Sequence, residues 1–229
     1  MFLDSLINII FPSHCLNCRK NAERGGVICA DCFGKISLNQ TLFCGKCRAR
    51  IPDQKKICHN SFPYLLGAAG SYGDETLKNL IHGLKFQYLK SAARPLGEIL
   101  IRYTDGLGLP LEKFSVIPVP LSKKRLRERG FNQSELIAKI LAEHFGLPID
   151  ASSLTRAKNT KPQSETKNLA ERRENVRACF FVTHPEAVAG RNILLIDDVT
   201  TSGATLFEAA SALKSAGARK ILAMTVAKT

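Results

Sequence analysis

Two consecutive acids, Asp197 and Asp198, close an unbroken apolar run, Ile193-Leu-Leu-Ile196, and are followed by Thr200, Thr201, Ser202, Gly203, Ala204 and Thr205. A strand that ends in carboxylates, then a hydroxyl- and glycine-rich turn, then a helix, is a place where backbone N–H groups point outward and favour an anion. Thr201, Ser202 and Thr205 add hydroxyl donors, and Gly203 lets the chain come close to a phosphate. A phosphate alone has no use for two carboxylates beside it. A sugar diol donates hydrogen bonds to carboxylates, and Mg²⁺ takes their oxygens while keeping waters. A ribose 5-phosphate carrying a metal-bound diphosphate satisfies both demands. The candidate anion-binding set is therefore Asp197, Asp198, Thr200, Thr201, Ser202, Gly203, Ala204 and Thr205.

The second set of reactive residues is at the other end of the chain. Cys15-x2-Cys18, Cys29-x2-Cys32 and Cys44-x2-Cys47 precede a lone Cys58. A shift of 29 residues maps Cys15, Cys18 and Cys29 onto Cys44, Cys47 and Cys58, and maps Cys32 onto Ser61. That is the pattern of a duplicated metal knuckle whose second copy has lost one ligand. Two cysteines two residues apart reach one metal through a tight turn, and two such turns complete a tetrahedron around Zn²⁺. Disulfides need an oxidising compartment, which nothing in the sequence supports. Cys15, Cys18, Cys29 and Cys32 are thus expected to hold zinc. Cys44, Cys47 and Cys58 supply three thiolates, with His59 as the nearest fourth ligand, His14 as a remoter one, or no metal at all. Cys179 stands in an apolar stretch and reads as a buried small hydrophobe.

Basic segments flank the acid-tipped strand. Val119–Ser134 holds Lys123, Lys124, Arg125, Arg127 and Arg129 against the single acid Glu128. Following a strand end, this segment is expected as a loop overhanging the ligand site, with Lys123, Lys124 and Arg125 on the diphosphate side. A second polar, basic stretch, 155–177, is too long for an ordinary connection, and its residues 168–177 have some helical character. Lys46, Arg48, Arg50, Lys55 and Lys56 crowd the second cysteine unit and suit contact with nucleic acid.

The elements that must position these groups alternate. Strands are expected at 64–72, 115–119, 192–196 and 220–226, and helices at 74–86, 89–103, 131–145 and 203–215. Strand–helix alternation implies a parallel sheet with helices on both faces, with ligands beyond the carboxyl ends of its strands. Pro63 closes the cysteine region, so the expected division is a metal module over 1–62 and an α/β domain over 63–229. Phe2, Leu3, Leu6, Ile7 and Ile10 fall at helical spacing, and the opening segment reads as a short amphipathic helix rather than a signal peptide. No apolar run approaches a membrane span, so no membrane insertion is expected and the expected compartment is the cytoplasm. The 229 residues carry a formal net charge of +13, which favours anionic partners, although a four-thiolate zinc site would itself carry about −2.

The segment from Ile193 to Thr205 resembles the signature of the type I phosphoribosyltransferases, which bind 5-phosphoribosyl-1-pyrophosphate (PRPP). Thr200 departs from it, since a larger apolar residue is usual there, and Ser202 stands where threonine is commoner. Taken with the cysteine pairs, Leu84-Lys-Phe86, Val119-Pro120, the run Arg129-Gly-Phe-Asn-Gln-Ser134, Arg156, Thr160, Gln163, Arg172, Asn175 and Phe180, nearly the whole chain resembles the ComF/GntX family of competence-associated proteins. The resemblance implies a zinc ribbon, often doubled, joined to a type I phosphoribosyltransferase-like sheet flanked by helices. It implies PRPP with Mg²⁺ as ligand, a cytoplasmic role in natural transformation, and single-stranded DNA and DNA-uptake proteins as partners. The missing cysteine at Ser61 departs from the doubled pattern. Two other functions compete: an active phosphoribosyltransferase on an unidentified base, and a zinc-ribbon nucleic-acid binder with a scaffold domain. In the active reading, Asp197 and Asp198 would hold the ribose while Lys123 and Arg125 draw on the leaving diphosphate. No acceptor pocket and no catalytic residue can be read from the sequence.

Overall fold

A computed structural model of the chain describes residues 14–22, 26–52, 58–157 and 179–229. The expected N-terminal helix, Lys55 and Lys56, and the basic stretch beyond residue 157, with Thr160, Gln163, Arg172 and Asn175, lie outside the described residues. A short helix α1 (Ala30–Gly34) and strands β1 (Leu42–Cys44) and β2 (Arg50–Ile51) belong to the cysteine region. Then follow β3 (Leu65–Ser71), α2 (Glu75–Phe86), α3 (Ala93–Gly106), β4 (Phe114–Pro118), α4 (Lys123–Arg129) and α5 (Gln133–Phe145). A small antiparallel pair, β5 (Leu154–Arg156) and β6 (Phe180–Val182), precedes α6 (Pro185–Val188), β7 (Asn192–Thr200), α7 (Ala204–Ser215) and β8 (Lys220–Lys228).

The main sheet runs β2-β1-β3-β8-β7-β4. Its β3, β8, β7 and β4 are parallel, and β1 and β2 add antiparallel strands at one edge. β7 is central and buried on both faces, which is why it reads as a continuous apolar run. Its side chains alternate: Leu194 and Ile196 join the core beneath α2, α3 and α5, while Ile193 and Leu195 join the core beneath α7. β7 extends four residues past the expected end, because β8 stays paired with it through Asp197↔Thr225 and Thr200↔Lys228. The two acids therefore sit within the strand, with backbone fixed by its neighbour, rather than in the turn after it.

Helix ends match the local chemistry. Asp74 caps α2 by accepting from Leu77 N–H at 3.0 Å, and Asn132 caps α5 by accepting from Ser134 N–H. α4 and α5 end on Gly130 (φ +75°) and Gly146 (φ +62°), in the left-handed region that helix ends commonly use. α2 is instead followed by Tyr88 in that region, at φ +56°.

The cysteine region and the α/β body share one sheet: Phe43 and Cys44 of β1 pair with Leu66 and Leu65 of β3. Tyr103 of α3 ties them further, since its hydroxyl donates to Thr41 O at 2.7 Å and accepts from Ala68 N–H at 3.3 Å. α3 meets α5 closely at Gly97, where an added Cβ would lie 2.6 Å from Ile140 Cγ2 and 2.9 Å from Ile140 Cβ. Gly97→Ala gains about 1 kcal/mol of helix propensity but overpacks this contact by about 1–3 kcal/mol. The expected outcome is a net loss, seen as a lower urea midpoint at constant m-value. An unchanged or raised midpoint would mean that α3 and α5 are not held at this separation.

Candidate functional site

Asp197 and Asp198 are both buried, at 8% and 2% exposure, an unusual setting for two adjacent carboxyls. Asp197 Oδ1 accepts from Ser134 Oγ at 2.9 Å and from Asp198 N–H at 2.9 Å. Asp198 Oδ1 forms an ion pair with Lys85 Nζ at 2.9 Å and accepts from Val199 N–H. Asp198 Oδ2 is buried with no hydrogen-bond partner. Burial, and then the neighbouring Asp198 charge, push the Asp197 carboxyl up to about 7, against the pull of Lys85 and the Ser134 hydroxyl. An acceptor without a partner in a buried acid pair has capacity for a donor or a cation.

These acids floor a cavity of about 440 Å³ at the carboxyl end of β7. Thr201 and Thr205 line it from the turn, and Lys85, Arg125, Arg129 and Arg156 supply positive charge around it. Thr200 is buried inside β7, and its carbonyl accepts from Thr229 N–H. Ser202 Oγ accepts from Ala204 N–H, so Ser202 shapes the turn from within. Lys123 and Lys124 are exposed on the first turn of α4 and do not line the cavity. Lys124 instead lies 3.9 Å from Glu128.

The segment expected as an overhanging loop folds as the short helix α4, because Ser122 caps it by accepting from Arg125 N–H at 3.4 Å and Gly130 ends it. The run Arg129–Ser134 has a task for each residue. Arg129 Nη1 donates to Gln133 Oε1, and Gly130 supplies the left-handed turn. Phe131 is buried, Asn132 caps α5 and donates to Val119 O at 3.1 Å, and Ser134 holds Asp197. Arg156 is buried over the Phe180 ring, and burial and then Arg125's charge lower its pKa. Arg129 and Arg156, from the two basic segments, line the cavity, and so does Lys85, which lies in neither segment. For Lys85 the signal available in sequence was its place in the short run Leu84-Lys-Phe86.

Gly203 is the N-cap of α7 at φ +75°. The space its Cβ would take is filled: Arg48 Nη2 lies 3.1 Å away and Tyr64 Oη 3.2 Å away. The glycine is thus required by backbone conformation and by a guanidinium arriving from the cysteine region. Arg48 follows Cys44-x2-Cys47, and its N–H donates to Cys44 O at 2.8 Å with φ +59°. Arg19, 29 residues earlier, repeats this geometry: its N–H donates to Cys15 O at 3.0 Å with φ +64°. The duplication is therefore one of backbone as well as of sequence.

Both cysteine clusters close. The ligand atoms of Cys15, Cys18, Cys29 and Cys32 lie within 4.8 Å of one another, as do those of Cys44, Cys47, Cys58 and His59. Cys18 and Cys29 sulfurs are 3.6 Å apart, Cys47 and Cys58 sulfurs 3.3 Å, and Cys44 Sγ is 3.4 Å from His59 Nδ1. A zinc tetrahedron with bonds of about 2.3 Å has edges of about 3.8 Å, so both donor sets fit that ion. His59 occupies the fourth corner left by Ser61, while His14 bridges to Asn21 and is no part of either cluster. In the second cluster Cys44 is lowered to about 6, because the backbone amides of Cys47 and Lys46 together with Cys58 and His59 outweigh its burial. Cys58 is raised to about 11 by hydrogen bonds to the Cys47 and Cys44 sulfurs. Thiols that resist joint ionisation are what a divalent cation relieves. Cys179 is buried.

No helix among the described residues is long and apolar enough to cross a membrane. Residues 132–229 match the phosphoribosyl transferase domain family, and residues 6–61 match the double zinc ribbon domain family. The chain is 30% identical over 221 residues to the DNA utilization protein YhgH of Escherichia coli O157:H7, covering 94% of this chain and 90% of that protein. It is 31% identical over 213 residues to the competence protein ComFC of Bacillus subtilis, covering 89% and 78%. It is 29% identical over 226 residues to competence protein F of Haemophilus influenzae, covering 92% and 95%. A double zinc ribbon sharing its sheet with a phosphoribosyltransferase fold, and full-length likeness to these proteins, make this chain a member of the ComF/GntX family.

Proposed function

We propose that this chain binds PRPP with Mg²⁺ at the carboxyl end of β7 and, like the competence and DNA utilization proteins it is similar to, serves the handling of incoming single-stranded DNA in natural transformation. The observation that carries the reading is the buried acid pair, Asp197 and Asp198, lining one cavity together with four cations and two threonines. In this arrangement the amides and hydroxyls from Thr201 to Thr205 take the 5-phosphate. Asp197 and Asp198 accept from the ribose hydroxyls. Arg125, Arg129 and Arg156 face the diphosphate, with Lys123 and Lys124 at the exposed approach. Mg²⁺, if bound, would supply charge neutralisation to the diphosphate, with the Asp197 and Asp198 carboxyls as the oxygen ligands within the cavity. Ser134 keeps Asp197 oriented, and Lys85 balances Asp198 until the ligand arrives.

The cysteine region, residues 1–62, acts in this reading as a double zinc module that braces the cavity-bearing unit, residues 63–229. Cys15, Cys18, Cys29 and Cys32 hold one zinc, and Cys44, Cys47, Cys58 and His59 hold a second. The second ion fixes the knuckle that brings Arg48 to Gly203.

Calorimetric titration with PRPP and Mg²⁺ is expected to show one saturable site. Asp198→Asn should weaken it more than tenfold, a loss of about 1.4 kcal/mol or more. An isotherm unchanged by Asp198→Asn and by the double variant with Asp197→Asn would end the reading.

The purified chain is expected to carry two equivalents of zinc by plasma emission spectroscopy. His59→Ala should lose one and also weaken PRPP binding. Arg48→Ala should keep both metals yet weaken PRPP binding about fivefold, as roughly 1 kcal/mol for a half-exposed charge predicts. PRPP affinity indifferent to Arg48 would separate the ribbon from the cavity.

A further inference from the structure

The cavity has an aromatic lip that the phosphate and ribose chemistry does not use. Phe86 and Tyr88 both line it, and they are 56% and 54% exposed. They are the two most exposed large apolar side chains among the described residues. Tyr88 also stands in a costly conformation. It follows the end of α2 at φ +56°, with Leu89 N–H donating back to Gly83 O at 3.1 Å. In the same chain α4 and α5 end on glycines in this region of φ, as helices usually do. A bulky residue there is an outlier, and outliers kept against local preference mark sites under functional demand. The Tyr88 ring is not buried in the core, so packing does not explain its retention. Phe86 rests against His82, with ring centroids 4.8 Å apart.

We infer that Phe86 and Tyr88 form a stacking platform for a base of single-stranded nucleic acid, held at the mouth of the cavity while the strand's phosphates follow the basic residues of α4. The chemistry selects this ligand. Open aromatic faces beside a cationic track are the combination that binds unpaired strands, because every base has a face to stack and every linkage an anion to neutralise. A duplex hides its base faces, so it fits the lip poorly. The cationic track is present: Lys123, Lys124 and Arg127 are exposed on α4, and Arg125 and Arg129 turn into the cavity that the two rings also line. Lys90, over the Phe131 ring at 5.4 Å, adds an exposed charge close in sequence to Tyr88. The chain's charge of +13 points the same way. This inference rests on the single-stranded DNA part of the proposed function and takes from the PRPP part only its choice of cavity, and its test keeps the two apart.

The chain has no tryptophan, so Tyr88→Trp introduces a single indole reporter that preserves the platform. Its fluorescence should be quenched by an unstructured thymidine oligomer. It should be quenched far less by an abasic strand of equal length and charge, and little by the matching duplex. In anisotropy titrations at fixed salt, Phe86→Ala with Tyr88→Gly should weaken oligomer binding about tenfold or more. The same double variant should keep its PRPP isotherm. Tyr88→Gly alone should hold or raise the thermal midpoint, because glycine suits φ +56°. A stability gain paired with lost strand affinity is the signature of a ring kept for binding. Equal affinity of wild type and double variant for the oligomer overturns the inference, as does an abasic strand that binds and quenches as well as the thymidine strand. Quenching by free thymine or thymidine at matched concentration, with no added benefit from the strand, overturns it in favour of a small-molecule acceptor site. Loss of PRPP binding in the wild type with ring-dependent strand binding intact would sink the PRPP reading and leave this one standing.

Discussion

Two carboxyls side by side in a buried strand are the constraint from which the rest of this site follows. Burial and the neighbouring Asp198 charge oppose ionisation of Asp197, and Lys85, the Ser134 hydroxyl and the Asp198 N–H act against them. Asp197 is held up near 7 and Asp198 keeps one oxygen open. Such a pair survives only on a backbone that cannot relax away from it. β7 provides that backbone: paired with β8 through Thr200, flanked by β4, and packed on both faces. Each later feature, from the Ser134 contact to the arginines across the cavity, can be read as balance for charge placed where water is scarce.

The cysteine region enters this balance from the far side of the loop. β1 is hydrogen-bonded to β3, so the second knuckle grows out of the sheet's edge. Its chain reversal needs Arg48 at φ +59°, and that turn sends a guanidinium to Gly203. A module this small buries little apolar surface, so the metal would supply most of its rigidity. Rigidity at Cys44 then becomes position at Arg48, four residues on. The first knuckle repeats the turn at Arg19.

Much of this could be read from residue order, and the exceptions share a cause. Strand and helix periods placed β3, β4, β7, β8 and the major helices to within a few residues, because each carries a clear apolar repeat. β7 ran past Ile196 because strand length here is set by β8's pairing, which no local pattern records. α4 was expected as a loop because five cations hid the signals at its ends, Ser122 and Gly130. Lys123 and Lys124 looked equal to Arg125, yet only Arg125 turns inward, since rotation about a short helix decides which cation faces the cavity. Lys85 reaches Asp198 from α2, an element distant in sequence and outside both basic segments. Charge counting along the chain cannot find groups that tertiary packing brings together.

The fourth ligand of the second knuckle shows the same logic in a smaller space. Strict repetition pointed to residue 61, where serine cannot bind zinc. His59 follows Cys58 directly, and its imidazole reaches 3.4 Å from Cys44. An imidazole is longer than a thiol, so a ligand two places early can still close the tetrahedron if the turn tightens. The substitution also changes the electrostatics. A loaded three-thiolate site carries about one unit less negative charge than a four-thiolate site. The second knuckle is the one that approaches the turn at Gly203 through Arg48. If the proposed phosphate binds at that turn, a less negative metal centre would repel it less, so a histidine in the fourth corner suits the copy that sends Arg48 to Gly203.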